Sequence, residues 1–396
     1  MSKFTPTPGW TFCEFFAGGG MARAGLGPGW ACRFANDFDP MKTQAYRANW
    51  DAEHLVEGDV AKLSVDQLPD NADLVWASFP CQDLSLAGAY KGLGDELAGN
   101  LTRSGTFWPF WSLIQKLKAG GRGPRVIVLE NVAGTITSRR GRDFESICRA
   151  LTGEGYRLGA MIIDAKHFVP QSRPRLFFVA VASGSEVPAD LFRRSPNPLW
   201  YSKALRKAVE RLPAQVRAHW VWWTMPEPRA RNTVLAELID ESPVGCAWHT
   251  EAETAKLLSM MSPLHLRKIE EARLTGQRLI GGVYKRTRLD EYGNKRQRAE
   301  IRFDGVAGCL RTPGGGSSRQ TIVVVEGHSI RSRLLSPREA ARLMGLPDDY
   351  ILPSRYNDAY HVAGDGVCVP VVRHLADSLL EPLLVAGTCA RRALAA

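Results

Sequence analysis

The sequence predicts an α/β protein in which a doubly wound, mostly parallel, Rossmann-like sheet is followed by a smaller and less regular domain. Three observations predict this. Short apolar runs at Trp10–Phe16, Ala31–Ala35, Leu74–Phe79, Val126–Leu129 and Leu176–Ala182 read as strands buried on both faces. Amphipathic stretches such as Phe107–Leu117 and Phe144–Leu151 lie between them, and strand–helix alternation of this kind builds a parallel sheet covered by helices. Near residue 185 the alternation stops, and prolines, the Trp220/Trp222/Trp223 cluster and a basic stretch take over. The first domain is therefore expected over 1–185 and the second over 186–330.

Composition narrows the class. Of 396 residues, 44% are hydrophobic and 23% charged, as in ordinary globular proteins. The longest unbroken apolar run, Leu176–Ala182, is far short of the roughly 20 residues that a bilayer span needs. With no apolar leader near Pro6, Pro8 and Gly9, a cytoplasmic protein without membrane contact is expected. Eight cysteines are scattered without metal-finger spacing, so neither a metal nor a disulfide framework is expected. The net charge of +10 is uneven: residues 1–100 sum to −6, 101–350 to +16 and the remainder to zero. A polyanion-binding surface is thus expected in the middle of the chain. Its densest part, 278–302, holds eight Lys or Arg, although for any single residue there a solvated charged loop is the favoured reading.

Two constellations carry chemistry. The first is a glycine turn, Ala17-Gly18-Gly19-Gly20, entered directly from the first strand. Such a turn lets main chain approach a ligand closely. Asp37 follows the second strand, where a carboxylate can accept ribose hydroxyls. Asp59 ends a third short run, Val56-Glu57-Gly58, and could receive an adenine amino group. Turn, ribose acid and adenine acid in that order describe a nucleoside site. A dehydrogenase would instead want the full G-x-G-x-x-G, and Arg23 occupies its third glycine position. The second constellation begins at Ser78-Phe79-Pro80-Cys81-Gln82, just past an apolar strand. By itself Cys81 reads as a half-buried structural thiol. Glu130 at the end of another strand, with Arg173 and Arg175 before a further one, turns it into a candidate nucleophile.

With these segments in order, the chain resembles the bacterial and phage DNA (cytosine-5) methyltransferases over nearly its whole length. Phe15-Phe16-Ala17-Gly18-Gly19-Gly20 is similar to the family's cofactor turn and Phe79-Pro80-Cys81-Gln82 to its nucleophile motif. Glu130-Asn131-Val132 resembles ENV, and Gln171-x-Arg173-x-Arg175 resembles QxRxR. Arg333–Asp348 is similar to the long motif after the recognition region, and Gly364-Asp365-Gly366-Val367 to the final cofactor motif.

The resemblance implies a class I methyltransferase fold and transfer of a methyl from S-adenosylmethionine to carbon 5 of cytosine in duplex DNA. It further implies a covalent Cys81–cytosine intermediate and base flipping. Glu130 would hold ring nitrogen 3, Arg175 oxygen 2, and Arg173 would sit near Cys81 and a phosphate. The cofactor would be lined by Phe16, Ala17, Gly18, Gly19, Gly20, Met21, Asp37, Phe38, Asp59, Val60, Pro80, Asp365, Gly366 and Val367. Three residues depart from the family pattern: Asp37 stands for glutamate, Met21 for glycine and Asp365 for asparagine. The resemblance also makes 331–358 a motif helix and hinge, and returns 359–396, with its apolar Val369–Leu384, to the first domain. Gly308–Gln320 is the expected DNA-backbone-contacting loop. A monomer is expected, with room for a cognate restriction endonuclease as partner. The rival readings are a tRNA cytosine-5 methyltransferase and an inactive DNA-binding homologue. Some 140 residues of recognition region and the intact Cys81, Glu130 and Arg175 argue against them.

Overall fold

A computed structural model describes residues 9–81, 93, 104–289, 292–311 and 319–387. Most of the Gly308–Gln320 loop, and Gln82 after Cys81, lie outside the described residues. The chain forms two compact units. Unit one comprises the chain up to Ile163, Pro174–Pro228 and the chain from Val367 on; unit two comprises Asp164–Arg173 and Arg229–Gly366.

Unit one is built on seven strands: β1 (Trp10–Phe15), β2 (Trp30–Asp37), β3 (Leu55–Glu57), β4 (Leu74–Ala77), β5 (Val126–Val132), β6 (Tyr156–Asp164) and β7 (Pro174–Ala182). Their order is β3-β2-β1-β4-β5-β7-β6. The pairs β3/β2, β2/β1, β1/β4 and β4/β5 are parallel, whereas β7 runs antiparallel to β5. Both faces are covered, so Val126–Leu129 and Leu176–Val181 are buried without interruption, as their unbroken apolar runs require. The helices are α1 (Met21–Leu26), α2 (Pro40–Asn49), α3 (Phe107–Ala119) and α4 (Arg142–Gly153). In α3, Phe107, Phe110, Trp111, Ile114 and Leu117 recur at helical spacing and are all buried. The ring of Phe110 meets that of Phe15 edge-on at 4.9 Å. Asp39 caps α2 by accepting from Met41 N, with Pro40 in the first turn where its missing N–H costs nothing. The order in which the chain adds strands reverses between β1 and β4, and the crevice at their carboxyl ends is where open sheets of this kind bind ligands.

Strand β6 is not marked by the apolar pattern, because Gly159, Ala160 and Met161 interrupt any β-branched run. Gly159 is there for space: a Cβ would stand 2.1 Å from the Val221 carbonyl oxygen and 2.6 Å from the Trp223 ring. The chain after β7 packs on this edge. It includes β8 (Phe192–Arg193), α5 (Lys203–Glu210), α6 (Ala214–Arg217) and β9 (Trp222–Trp223). Leu158 N donates to His219 O and Val221 N to Leu158 O, while Trp223 Nε1 donates to Val179 O at 3.1 Å. The tryptophan cluster therefore belongs to unit one. Apart from Asp164–Arg173, the second unit comprises Arg229–Gly366, beginning some forty residues later than the change in sequence pattern suggested.

Unit two holds α7 (Glu251–Ser259), α8 (Pro263–Leu274) and a sheet of β10 (Arg278–Leu289), β11 (Lys295–Arg302), β12 (Thr321–Glu326) and β13 (Ser329–Leu334). The sheet is antiparallel, in the order β11-β10-β12-β13. It is more regular than its sequence implied, since exposed arginines and glycines mask the alternation in β10 and β11. Leu257, Met261, Ile269, Val283, Ile301, Val323 and Val325 form its core. After β13 come α9 (Pro337–Arg342) and α10 (Tyr356–Asp365). Arg333 and Glu339, both fully buried, form a two-pronged ion pair at 2.7 and 2.6 Å. Main-chain groups take up further bonds from the pair, although Arg333 Nε has no partner. Arg333 also donates to Asp240 O and Leu334 O, and the Glu339 carboxylate accepts from Asp240 N and Ser336 N. The long motif thus ties β13, the start of α9 and the 240 segment together.

The chain then re-enters unit one as α11 (Val369–Leu375), which packs on α1. A Cβ on Gly25 would stand 2.4 Å from Val372 Cβ, so only glycine permits this approach. Trp30 Nε1 donates to Glu381 at 2.9 Å and pins the following turn.

Removing the Glu339 carboxylate leaves a buried guanidinium without its counter-charge. We expect Glu339→Ala to lower stability by about 3–5 kcal/mol, measured by urea unfolding. A loss below about 1 kcal/mol refutes the role assigned to this pair.

Candidate active site

The site of unit one lies at the carboxyl ends of β1, β2, β4 and β5. At the end of β1, Phe16 has φ 57° and Gly18 and Gly20 have φ 56° and 77°, so the chain coils through the left-handed region. That conformation suits glycine and is strained for phenylalanine. Gly20 also lacks room, since a Cβ would meet Trp50 Nε1 at 2.3 Å; around Gly18 the space is open. Trp50 Nε1 donates to Gly19 O at 3.1 Å and buttresses the turn from behind.

Asp37, at the end of β2, fastens the same turn. Its Oδ2 accepts from Gly18 N at 2.7 Å and its Oδ1 from Asp39 N at 2.9 Å. Burial pushes this carboxyl's pKa up, against the opposing pull of Lys42 and the two N–H groups. Asn36 ties β2 to the chain after β3, donating to Val56 O and Gly58 O. Asp59 accepts from Ala61 N and caps the turn that follows. Phe38 presents an aromatic face that is 73% exposed, beside main chain where a planar ligand could stack. Ala17, Gly19, Gly20, Met21, Val60 and Val367, which the sequence also offered for the cofactor, are buried.

Cys81 is half-buried at the start of the chain that follows β4. What holds it is Asn131, which the sequence reading had quoted only as part of a motif. The Asn131 side chain is buried at the end of β5 and donates to Phe79 O at 3.1 Å, while its own oxygen accepts from Val132 N at 2.8 Å. One amide thus joins the end of β5 to the residues just before Pro80 and Cys81. Its signal in the sequence was a lone amide ending an apolar strand. Glu130, one residue earlier, pairs with Arg175: Nε lies 3.2 Å from Oε1, and the two side chains are 15% and 10% exposed. They meet because Val132 faces Arg175 and Glu130 faces Phe177 across β5/β7, so Glu130 and Arg175 are diagonal neighbours on one face.

In unit two the structure places Arg173 differently from the expectation of a phosphate contact near Cys81. Its guanidinium is buried and donates to Leu310 O, Gly364 O and Gly366 O at 3.3, 2.9 and 2.8 Å. A buried guanidinium must place its donors, and the carbonyls on either side of Asp365 receive them. Gln171 does related work, accepting from Leu310 N and donating to Leu343 O. Asp365 itself is exposed and lies 3.8 Å from His361 Nδ1, one helical turn back.

Among the described residues no cluster of His, Cys, Asp or Glu could hold a metal ion, and no helix is long and apolar enough to cross a membrane.

A seven-stranded sheet with one antiparallel strand, a glycine turn fastened by a strand-end carboxylate, and a thiol loop beside an acid–arginine pair define a class I methyltransferase fold. The chain belongs to the C-5 cytosine-specific DNA methylase family, whose model matches residues 10–381, and it is an enzyme of the DNA (cytosine-5) methyltransferase class. It is 25% identical over 374 residues to the type II methyltransferase M.NlaX of Neisseria lactamica, covering 93% of this chain and 96% of that one. Against M.HpaII of Haemophilus parainfluenzae it is 26% identical over 391 residues, covering 94% and 90%. Among solved structures the fold is similar to the Entamoeba histolytica methyltransferase EhMeth. That match has a TM-score of 0.62 and 14% identity, covering 95% of this chain and 98% of the other. It is also similar to Schizosaccharomyces pombe (S. pombe) Dnmt2, with a TM-score of 0.54, 16% identity, and 94% and 99% covered.

One buried acid makes a pH prediction. Glu14 lies under the glycine turn and its pKa rises from 4.5 to about 8. Burial is the main cause, opposed by Arg23 and by the Ala22 and Arg23 N–H groups. The folded state therefore holds the extra proton; this contribution is complete below pH 4.5 and is lost as pH rises through 8. Glu14→Gln should flatten the fall in melting temperature across that window. Parallel profiles for the two proteins would show that Glu14 does not titrate there.

Proposed function

We propose that this enzyme methylates carbon 5 of cytosine in a specific sequence of duplex DNA, using S-adenosylmethionine and a covalent Cys81–cytosine adduct formed on a flipped base. The observation that carries the reading is the Glu130–Arg175 pair, standing next to the Asn131 amide that anchors the Cys81 loop.

The residues present fit the cofactor. The turn from Phe16 to Gly20 is bent into left-handed geometry with open space at Gly18, and an exposed Phe38 ring directly follows the ribose-type acid of β2. Asp37 would hold the ribose, Phe38 the adenine and Asp59 its amino group, with Pro80, Asp365 and Gly366 toward the methionine end. When bound, the cofactor supplies an electrophilic methyl group.

The chain's own residues prepare the base. Carbon 5 of cytosine is a weak nucleophile until the Cys81 sulfur adds to carbon 6, forming a C–S bond and pushing the ring electrons toward carbon 5. Glu130 holds a proton at ring nitrogen 3, where negative charge develops. Arg175 orients Glu130 through their ion pair and can donate to oxygen 2. After methyl transfer, a water molecule takes the carbon 5 proton, and the electrons of the broken C–H bond expel the Cys81 thiolate and restore the aromatic ring. Arg173 acts at a distance, as a positioning residue that keeps Gly364–Gly366 in place. The target carbon is shielded in stacked duplex, so the base must leave the helix. The basic surface of unit two is suited to holding the surrounding phosphates.

Cys81→Ser should abolish methylation and covalent trapping on 5-fluorocytosine DNA, while titration with S-adenosylmethionine stays within about twofold of the parent protein. Methylation that survives the substitution would falsify the nucleophile assignment. Asp365→Asn should leave cofactor affinity unchanged or raise it, because the carboxylate adds charge where the family has an amide. A clear weakening on calorimetric titration contradicts this.

A further inference from the structure

Strand β10 is twelve residues long, but only Arg278–Val283 pairs with β12. From Gly282 to Leu289 its partner on the other side is β11, from Arg302 to Lys295. Beyond Val283 the sheet narrows to a two-stranded ribbon. Arg286, Thr287 and Leu289 on one strand and Lys295–Arg298 on the other are exposed, so both faces of the outer ribbon meet solvent. Such a ribbon has no core of its own and gains little stability from folding.

Its charges are arranged against its own stability. Arg286 stands directly opposite Arg298 in the register. Like charges directly opposed weaken an antiparallel pair. Glu300 offsets this in part, lying 3.5 Å from the Arg286 guanidinium. At the tip Leu289 and Tyr292 are 69% and 80% exposed. Charges that merely protect a sheet edge from aggregation need not be opposed across two strands, nor end in an exposed leucine and tyrosine. A cationic ribbon with an apolar tip fits a polyanion that has grooves.

We propose that the β10–β11 ribbon is a two-stranded arm that lies along duplex DNA and binds its phosphates through Arg286, Arg296 and Arg298, supplying affinity rather than choice of sequence. A groove of B-form DNA admits a two-stranded ribbon. Exposed arginines on an unsupported ribbon suit phosphate contact, which needs charge and reach more than a fixed pose. The inference rests on the proposed duplex-DNA substrate and assigns one element to holding it.

The test is the salt dependence of duplex-DNA binding by the full-length protein, followed by fluorescence anisotropy from about 50 to 300 mM salt. The triple variant Arg286→Gln, Arg296→Gln, Arg298→Gln should bind roughly tenfold more weakly at the low end. Its slope of log affinity against log salt should be shallower by about 2 to 3. Lysine at the same three positions should restore the slope, which a misfolded ribbon would not do. Bisulfite sequencing of DNA from cells expressing the glutamine variant should show the same methylated sequence as the parent. An unchanged slope, or a changed methylated sequence, overturns the inference. If the parent protein itself fails to bind duplex DNA, the proposed substrate falls and the arm's assignment with it.

Discussion

The antiparallel register of β7 against β5 is the constraint on which the site depends. Glu130 and Arg175 are 45 residues apart in sequence, and neither could be buried without the other. They meet because the register sets Arg175 across from Val132, one pleat from Glu130 and on the same face. A slip of one residue would turn Arg175 to the opposite face and leave a carboxylate under the sheet without its counter-charge. The apolar run Leu176–Val181, buried on both sides, is what resists such a slip. Chemistry at the strand ends is thus held in place by packing in the strand middles.

The loops around the site are held by another means, buried polar side chains bonded to main chain. Asn131 holds the Phe79 carbonyl, Asn36 those of Val56 and Gly58, and Asp37 the N–H of Gly18. Loops cannot bond to a neighbouring strand along their length, so single amides and carboxylates satisfy the buried groups instead. The Gln171-x-Arg173-x-Arg175 motif shows the division of labour. Its first two side chains secure main chain of unit two around Leu310, Leu343 and Gly364–Gly366, and the third pairs with Glu130 in unit one. Arg333 and Glu339 stabilise unit two in the same manner, as a buried charge pair that also bonds to main chain. On the β10–β11 ribbon the register instead sets Arg286 opposite Arg298, in the exposed outer part of the sheet.

The sequence by itself determined the sheet, the order of its chemistry and the family. Five of the seven central strands were legible because burial on both faces demands unbroken apolar runs, and the glycine turn, Cys81 and Glu130 because those residue types have few substitutes. It left β6 unread, since the glycine that admits Val221 and Trp223 looks like an interruption until those neighbours are present. It likewise set the second domain at 186, where the local pattern changes, although the tryptophans beyond that point pack on unit one. Only the tertiary structure decided which arginine pairs with the acid and which holds main chain, and that Asn131 anchors the chain just before Cys81. The reason is physical: local pattern records what each residue must bury, whereas a partner for a buried charge or amide is chosen by strand register and chain crossing, which no short stretch of sequence contains.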